Sequence, residues 1–280
     1  MSPSRNCRRP AILGVPWLCL SALAILSACS GADFVVPAVS DADVNRAALS
    51  VKNVDGASLP KYARTRVEEE AMINRVAAQL RYAAPPLCQH AQVANCNFHV
   101  EYSTDDDANA YAEGETKVVV NHGLLQYLKS DSEVAAVIGH EFGHHIAKHI
   151  EEKQNNARLG AVLGAVVGVG TVVAAGGTGD PNAGDVVNSS TRLGAQVGAL
   201  SYSKEEEREA DLLSAYLLAR AGYDLEEAGN IWRVLAALGN GSSRSSIFST
   251  HPSDAERMAA WEKSIVVVEN SPDKLPAWQQ

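Results

Sequence analysis

The chain has 280 residues, of which 46% are hydrophobic and 20% charged, and a formal net charge of −9 at pH 7. That composition suits one globular domain, with length left over for a leader and a tail. So acidic a balance excludes electrostatic binding of nucleic acid and leaves no polybasic patch for anionic lipid.

Arg5, Arg8 and Arg9 form a positive n-region ahead of the apolar run AILGVPWLCLSALAILSA, residues 11–28. The run is too short and ends too abruptly for a stable membrane span, so it reads as a signal peptide. Leu26-Ser27-Ala28 directly before Cys29 resembles the lipobox of bacterial lipoproteins. That resemblance implies cleavage after Ala28, lipidation of Cys29 and attachment to a membrane through the lipid. An ordinary signal peptide or an uncleaved anchor is the alternative. Ser30, where an aspartate would retain the product at the inner membrane, points to the outer membrane, on its periplasmic side. Removal of residues 1–28 takes three arginines and moves the formal charge to −12.

Residues 29–60 are small, polar and mixed, and read as a tether between the lipid and the body. From Lys61 to Tyr82, Val67, Met72, Ile73, Val76 and Leu80 recur at helical spacing and predict an amphipathic helix. Cys7 and Cys19 leave with the leader, so Cys88 and Cys96 remain. An exported compartment permits a disulfide between them. A zinc pair is the alternative, but nothing nearby supplies two further ligands. NFHVEYS and TKVVVNHG read as strands, with turn between them.

Ser130, three residues before Glu133, is a capping-box signature, and Val134, Val137 and Ile138 continue it as an apolar stripe. The stretch GHEFGHHIAKH, residues 139–149, therefore lies in a helix. Next, LGAVLGAVVGVGTVVAAGG (159–177) contains no charge, and Gly160, Gly164 and Gly168 are four apart. With the segment that follows, to residue 200, it reads as a Gly/Ala-rich insertion. The insertion is either packed over the core or a mobile lid; a membrane-dipping hairpin with small-residue contacts is the competing reading. KEEEREADLLSAYLLARAGYD predicts an amphipathic helix closed by Gly222. LEEAGNIWRVLAALG predicts another, and HPSDAERMAAWEKSI a last one with Pro252 near its first turn. The body ends near residue 265, and 266–280 form a C-terminal tail, loosely held from Ser271 onward.

His140-Glu141-Phe142-Gly143-His144 is an HExxH pattern. On a helix its histidines share one face and can hold a zinc ion at roughly 2.0–2.1 Å each. Glu141 can reach a water on that ion as general base, and the ion lowers the pKa of the water toward about 7. His145 and His149 have the same spacing, but Ile146 stands where a base would be needed, so both read as structural. A catalytic zinc wants a third protein ligand, and Glu205, Glu206, Glu207 and Glu209 of the downstream helix compete for the role. A solvated, dipole-favoured first turn accounts for most of that run. Glu207 and Asp211 share a face, which suits a ligand followed by a carboxylate that orients a metal-bound histidine.

Residues NAYAEGETKVVVNHGLLQYLKSDSEVAAVIGHEFGHHIAKH, followed by YSKEEEREADLLSAYLLARAGYD, resemble the gluzincin zinc metallopeptidases that include HtpX and the CAAX prenyl endopeptidases. The resemblance extends over roughly residues 60–265, and within that family it is nearest to the outer-membrane lipoprotein metalloproteases. It implies an α+β fold: a mainly helical, zincin-like domain with a small sheet next to the HExxH helix. It places the third ligand at the first glutamate of EREAD, Glu207, with Asp211 closing that motif. STHPSDAER resembles a downstream His-Pro segment, which makes His251 an oxyanion donor or a switch at the open zinc position, and Arg257 a second oxyanion or substrate contact. One zinc ion per chain is implied, with misfolded or misassembled envelope proteins as substrates and outer-membrane assembly machinery or related proteases as partners. The chain departs from many relatives in having NAYAEGE where they carry a Pro-Gly-Gly. The edge strand expected to hold substrate by β-augmentation is therefore shaped differently, and prenyl specificity does not carry over.

Overall fold

The computed structural model describes residues 33–52, 59–174, 182–198, 202–240, 251 and 255–279. The leader, Cys29, Ser30 and Pro252 lie outside the described residues. In chain order the helices are α1 (Asp41–Val51), α2 (Arg66–Ala83), α3 (Pro85–His90), α4 (His122–Leu125), α5 (Asp131–Ile146), α6 (His149–Ala174), α7 (Ala183–Gly198), α8 (Lys204–Ala221), α9 (Leu225–Ala228), α10 (Ile231–Asn240) and α11 (Ala255–Glu269). The strands are β1 (His99–Ser103), β2 (Ala110–Glu113) and β3 (Lys117–Asn121). This is the α+β, mainly helical arrangement that the resemblance implies.

The predicted first helix is α2, capped by Thr65 and Glu68 in a reciprocal box. Met72, Ile73, Val76 and Leu80 are buried as the periodicity requires, but Val67 is 74% exposed, because it sits in the first turn before the helix meets the core. Ser130 caps α5, accepting from the Glu133 amide. The return bond of that box goes to the amide of Lys129, not of Ser130. The three strands form one sheet in the order β1-β3-β2, with β1 parallel and β2 antiparallel to β3. β2 is an edge, and it packs beside α5. Cys88 and Cys96 form a disulfide with Cα atoms 6.1 Å apart.

Helices α2, α5 and α8 enclose the core with the sheet, and the closest pairing is α5 against α8. A Cβ on Gly143 would come within 2.6 Å of the Ala210 carbonyl oxygen, so glycine there lets the two backbones approach. This contact brings the HExxH and EREAD motifs together.

Three features depart from the sequence reading. Residues 33–51 are not a loose tether: Phe34 is fully buried, and α1 packs on α11. The tail is not loosely held either. Val35 N donates to Ala277 O (2.8 Å), Gln279 N to Asp33 O (2.9 Å), and the Phe34 and Trp278 rings lie 4.5 Å apart. One aromatic pair thus pins both chain segments, an apolar contact between residues too far apart in sequence to form a local pattern. Third, among the described residues α6 and α7 contact chiefly each other, with α5 as the core helix that α6 meets. Val162, Val166, Val169 and Val173 remain exposed along α6, a helix long and apolar enough by composition to cross a membrane.

Candidate metal centre

His140 and His144 lie one turn apart on α5, and their Nε2 atoms face each other at 3.1 Å. Helix α8 presents Glu207 from its first turn, 3.5 Å from each of those nitrogens. His251 completes the cluster, with Nδ1 2.9 Å from Glu207 Oε1 and 3.2 Å from His140 Nε2. One donor atom from each of these four residues lies within 4.8 Å of the others. Glu141 stands at the margin, 3.5 Å from His251 Nε2, and its Oε2 is buried without a hydrogen-bond partner.

The donor set fits a divalent cation. Three imidazoles and a carboxylate are the ligand types zinc takes, and buried polar atoms without partners are rare unless something else satisfies them. The shifts of His144 and Glu207 suit it too. Burial holds the His144 imidazole well below the usual histidine range, which keeps its lone pair available. Burial works to raise Glu207, but the Arg257 guanidinium and then His251 prevail and hold it well below the usual carboxylate range. His251 is raised: burial opposes the proton, and the carboxylates of Glu141 and Glu207 outweigh that.

Around the cluster, Asp211 Oδ1 accepts from His140 Nδ1 at 2.8 Å. That fixes the His140 tautomer and turns Nε2 toward the centre. Arg257 donates to both oxygens of Asp211, at 2.9 and 2.8 Å, and pairs with Glu207 Oε2. Its buried guanidinium therefore grips the carboxylates that order the site. The oxyanion or substrate contact expected of Arg257 gives way to this role, because the fork is already engaged. Tyr202 stacks on His144 with ring centroids 3.9 Å apart, and Lys153 caps its other side. No motif marked Tyr202, which lies directly before the α8 cap, Ser203.

The acidic run is not the solvated first turn that its composition suggests. Glu206 closes a capping box with Ser203, Glu207 enters the cluster, and Glu209 is buried against His149 and the Phe34 amide. Only Glu205 is left exposed. His145 and His149 do not share a helix face, since α5 ends at Ile146 and Lys148 has φ 62°. His145 Nε2 reaches the Lys117 carbonyl at 3.0 Å and lies outside the cluster.

Residues 72–265 match Peptidase family M48. The chain is 31% identical over 209 residues to the β-barrel assembly-enhancing protease of Yersinia pestis, covering 69% of this chain and 43% of that protein. Identity to the Escherichia coli K12 protein of the same name is 28% over 174 residues, covering 62% of this chain and 35% of that one. The mitochondrial metalloendopeptidase OMA1 of Arabidopsis thaliana is 35% identical over 149 residues, covering 53% and 28%. The matched region spans less than half the length of each of these relatives. Since the family match extends over well more than half of the chain and takes in both motifs of the cluster, the chain belongs to Peptidase family M48.

Proposed function

We propose that the protein is a zinc-dependent endopeptidase, tethered by a lipid on Cys29 to the periplasmic side of the outer membrane, that cleaves misfolded or misassembled envelope proteins. The observation that carries this reading is the convergence of His140, His144 and Glu207 with Glu141 at their margin. His140, His144 and Glu207 would hold the ion, which when bound would supply Lewis acidity toward a carbonyl oxygen and lower the pKa of water toward neutrality. Glu141 takes the proton of the attacking water and returns it to the leaving amine. His251, whose proton affinity is raised by the carboxylates of Glu141 and Glu207 against the effect of burial, stands as the donor to the oxygen on which negative charge develops. Edge strand β2 is where an extended substrate segment would add by β-augmentation. Relatives whose name is β-barrel assembly-enhancing protease support envelope proteins as substrates and outer-membrane assembly machinery or related proteases as partners.

A second reading, a latent enzyme or client-holding assembly factor on the same fold, is favoured by one observation. His251 Nδ1 sits among the ligand atoms, where the open position should be. Casein cleavage by the wild type, Glu141→Gln and His251→Ala separates the two. The protease reading predicts a wild type that cleaves and a Glu141→Gln variant that keeps stoichiometric zinc but cleaves nothing. Undiminished cleavage by Glu141→Gln overturns the mechanism. Client binding with cleavage by neither wild type nor His251→Ala establishes the second reading.

A further inference from the structure

The two histidines of the cluster on α5 are oriented by different devices. His140 meets a carboxylate directly, through Asp211. His144 Nδ1 meets another imidazole, His149 Nδ1, at 2.9 Å. His149 Nε2 lies 2.9 Å from Glu209 Oε2, and Glu209 Oε1 accepts from the Phe34 amide at 2.6 Å. His144, His149 and Glu209 are all buried, so these contacts are made away from water.

The order of donors in this chain follows from what each group can offer. Both Glu209 oxygens accept, so the proton facing it belongs to His149 Nε2. A neutral imidazole protonated at Nε2 has only a lone pair at Nδ1. With His149 neutral, the single proton between the two Nδ1 atoms is carried by His144. With its proton on Nδ1, His144 presents a bare Nε2 toward His140 and Glu207. The reverse order would protonate His149 at Nδ1 and drive the His144 proton to Nε2, where it would block a cation.

We propose that His149 and Glu209 are positioning residues for His144: the Glu209 carboxylate sets the tautomer of His149, and His149 sets that of His144, leaving its Nε2 free for the metal. The Phe34 amide holds the carboxylate in place, so the segment that follows the leader takes part in ordering the metal centre. The break at Lys148 is what makes the relay geometrically possible. On an unbroken helix His149 would be displaced around the axis from His144, whereas here it opens α6 and turns back toward it. The inference rests on the metal reading of the cluster.

Two measurements on the full chain test it. In the zinc-loaded protein, long-range 1H–15N correlation of the imidazoles is expected to show His144 protonated at Nδ1 and His149 at Nε2. Finding His149 protonated at Nδ1 overturns the relay. In chelator competition, Glu209→Gln puts an amide against the Phe34 N–H and removes the charge. Its zinc dissociation constant is expected to rise about 10–100-fold, the range for lost orienting partners, with far-UV circular dichroism unchanged. A folded Glu209→Gln variant with wild-type zinc affinity overturns the relay alone, and a variant that does not fold leaves the decision to the imidazole spectrum. A wild-type chain that takes up no zinc overturns the metal reading and the relay with it.

Discussion

Each carboxylate of the EREAD segment has a distinct task, and the difference lies in which way its side chain leaves α8. Glu207 points into the cluster, Glu209 toward His149 and the Phe34 amide, and Asp211 toward His140 and Arg257. Asp211→Asn keeps the shape but weakens the acceptor for His140 Nδ1. Zinc affinity should fall by about 10–100-fold, read by chelator competition. Arg257→Met leaves two buried carboxylates without their counter-ion. Breaking a buried ion pair from one side costs about 3–5 kcal/mol, so urea denaturation of the metal-free variant should show a loss of that size. A loss under about 1 kcal/mol would mean that the guanidinium does not hold the network.

At the scale of elements, the centre exists because α5 and α8 approach closely enough for a one-turn histidine pair to meet a glutamate. Gly143 permits this approach, with Ala210 opposite. Gly143→Ala overpacks the crossing, at a cost of about 1–3 kcal/mol, and moves His144 away from Glu207. The expected result is a lower Tm together with weaker zinc binding. A lower Tm with unaltered zinc affinity would show that the helices can part without opening the site. The N-terminus of α8 is held separately by the Ser203–Glu206 box. Ser203→Ala should cost about 1 kcal/mol in thermal unfolding and leave the ligands in place.

Over the whole molecule, the two ends of the described chain close on each other beside the metal centre. Phe34 packs with His90 and Trp278 in one aromatic cluster while its amide holds Glu209. Phe34→Ala removes a fully buried ring, and such truncations cost about 3–5 kcal/mol. Because Phe34 also positions Glu209 through its backbone, the variant should lose zinc affinity as well as stability. Chemical denaturation and chelator competition measure the two effects separately. An unchanged denaturation midpoint would mean that the ends do not stabilise the body.

Much of this was written locally. His140, Glu141 and His144 follow from a five-residue pattern on a capped helix, because helical periodicity alone puts residues four apart on one face. The α2 stripe, the α8 box and Gly222 at its left-handed end (φ 80°) are likewise local chemistry. Glu207 needed the resemblance, since four neighbouring glutamates look alike until something faces them. What only the tertiary structure decided depends on groups distant in sequence. The burial of the acidic run, the capture of Arg257 by Asp211 and Glu207, and the packing of both chain ends through Phe34 and Trp278 are of this kind. So is the pairing of His144 with His149, which follows from a single left-handed residue, Lys148. Local sequence determines which face a side chain occupies on its own helix; which partner stands opposite is set by how the helices pack.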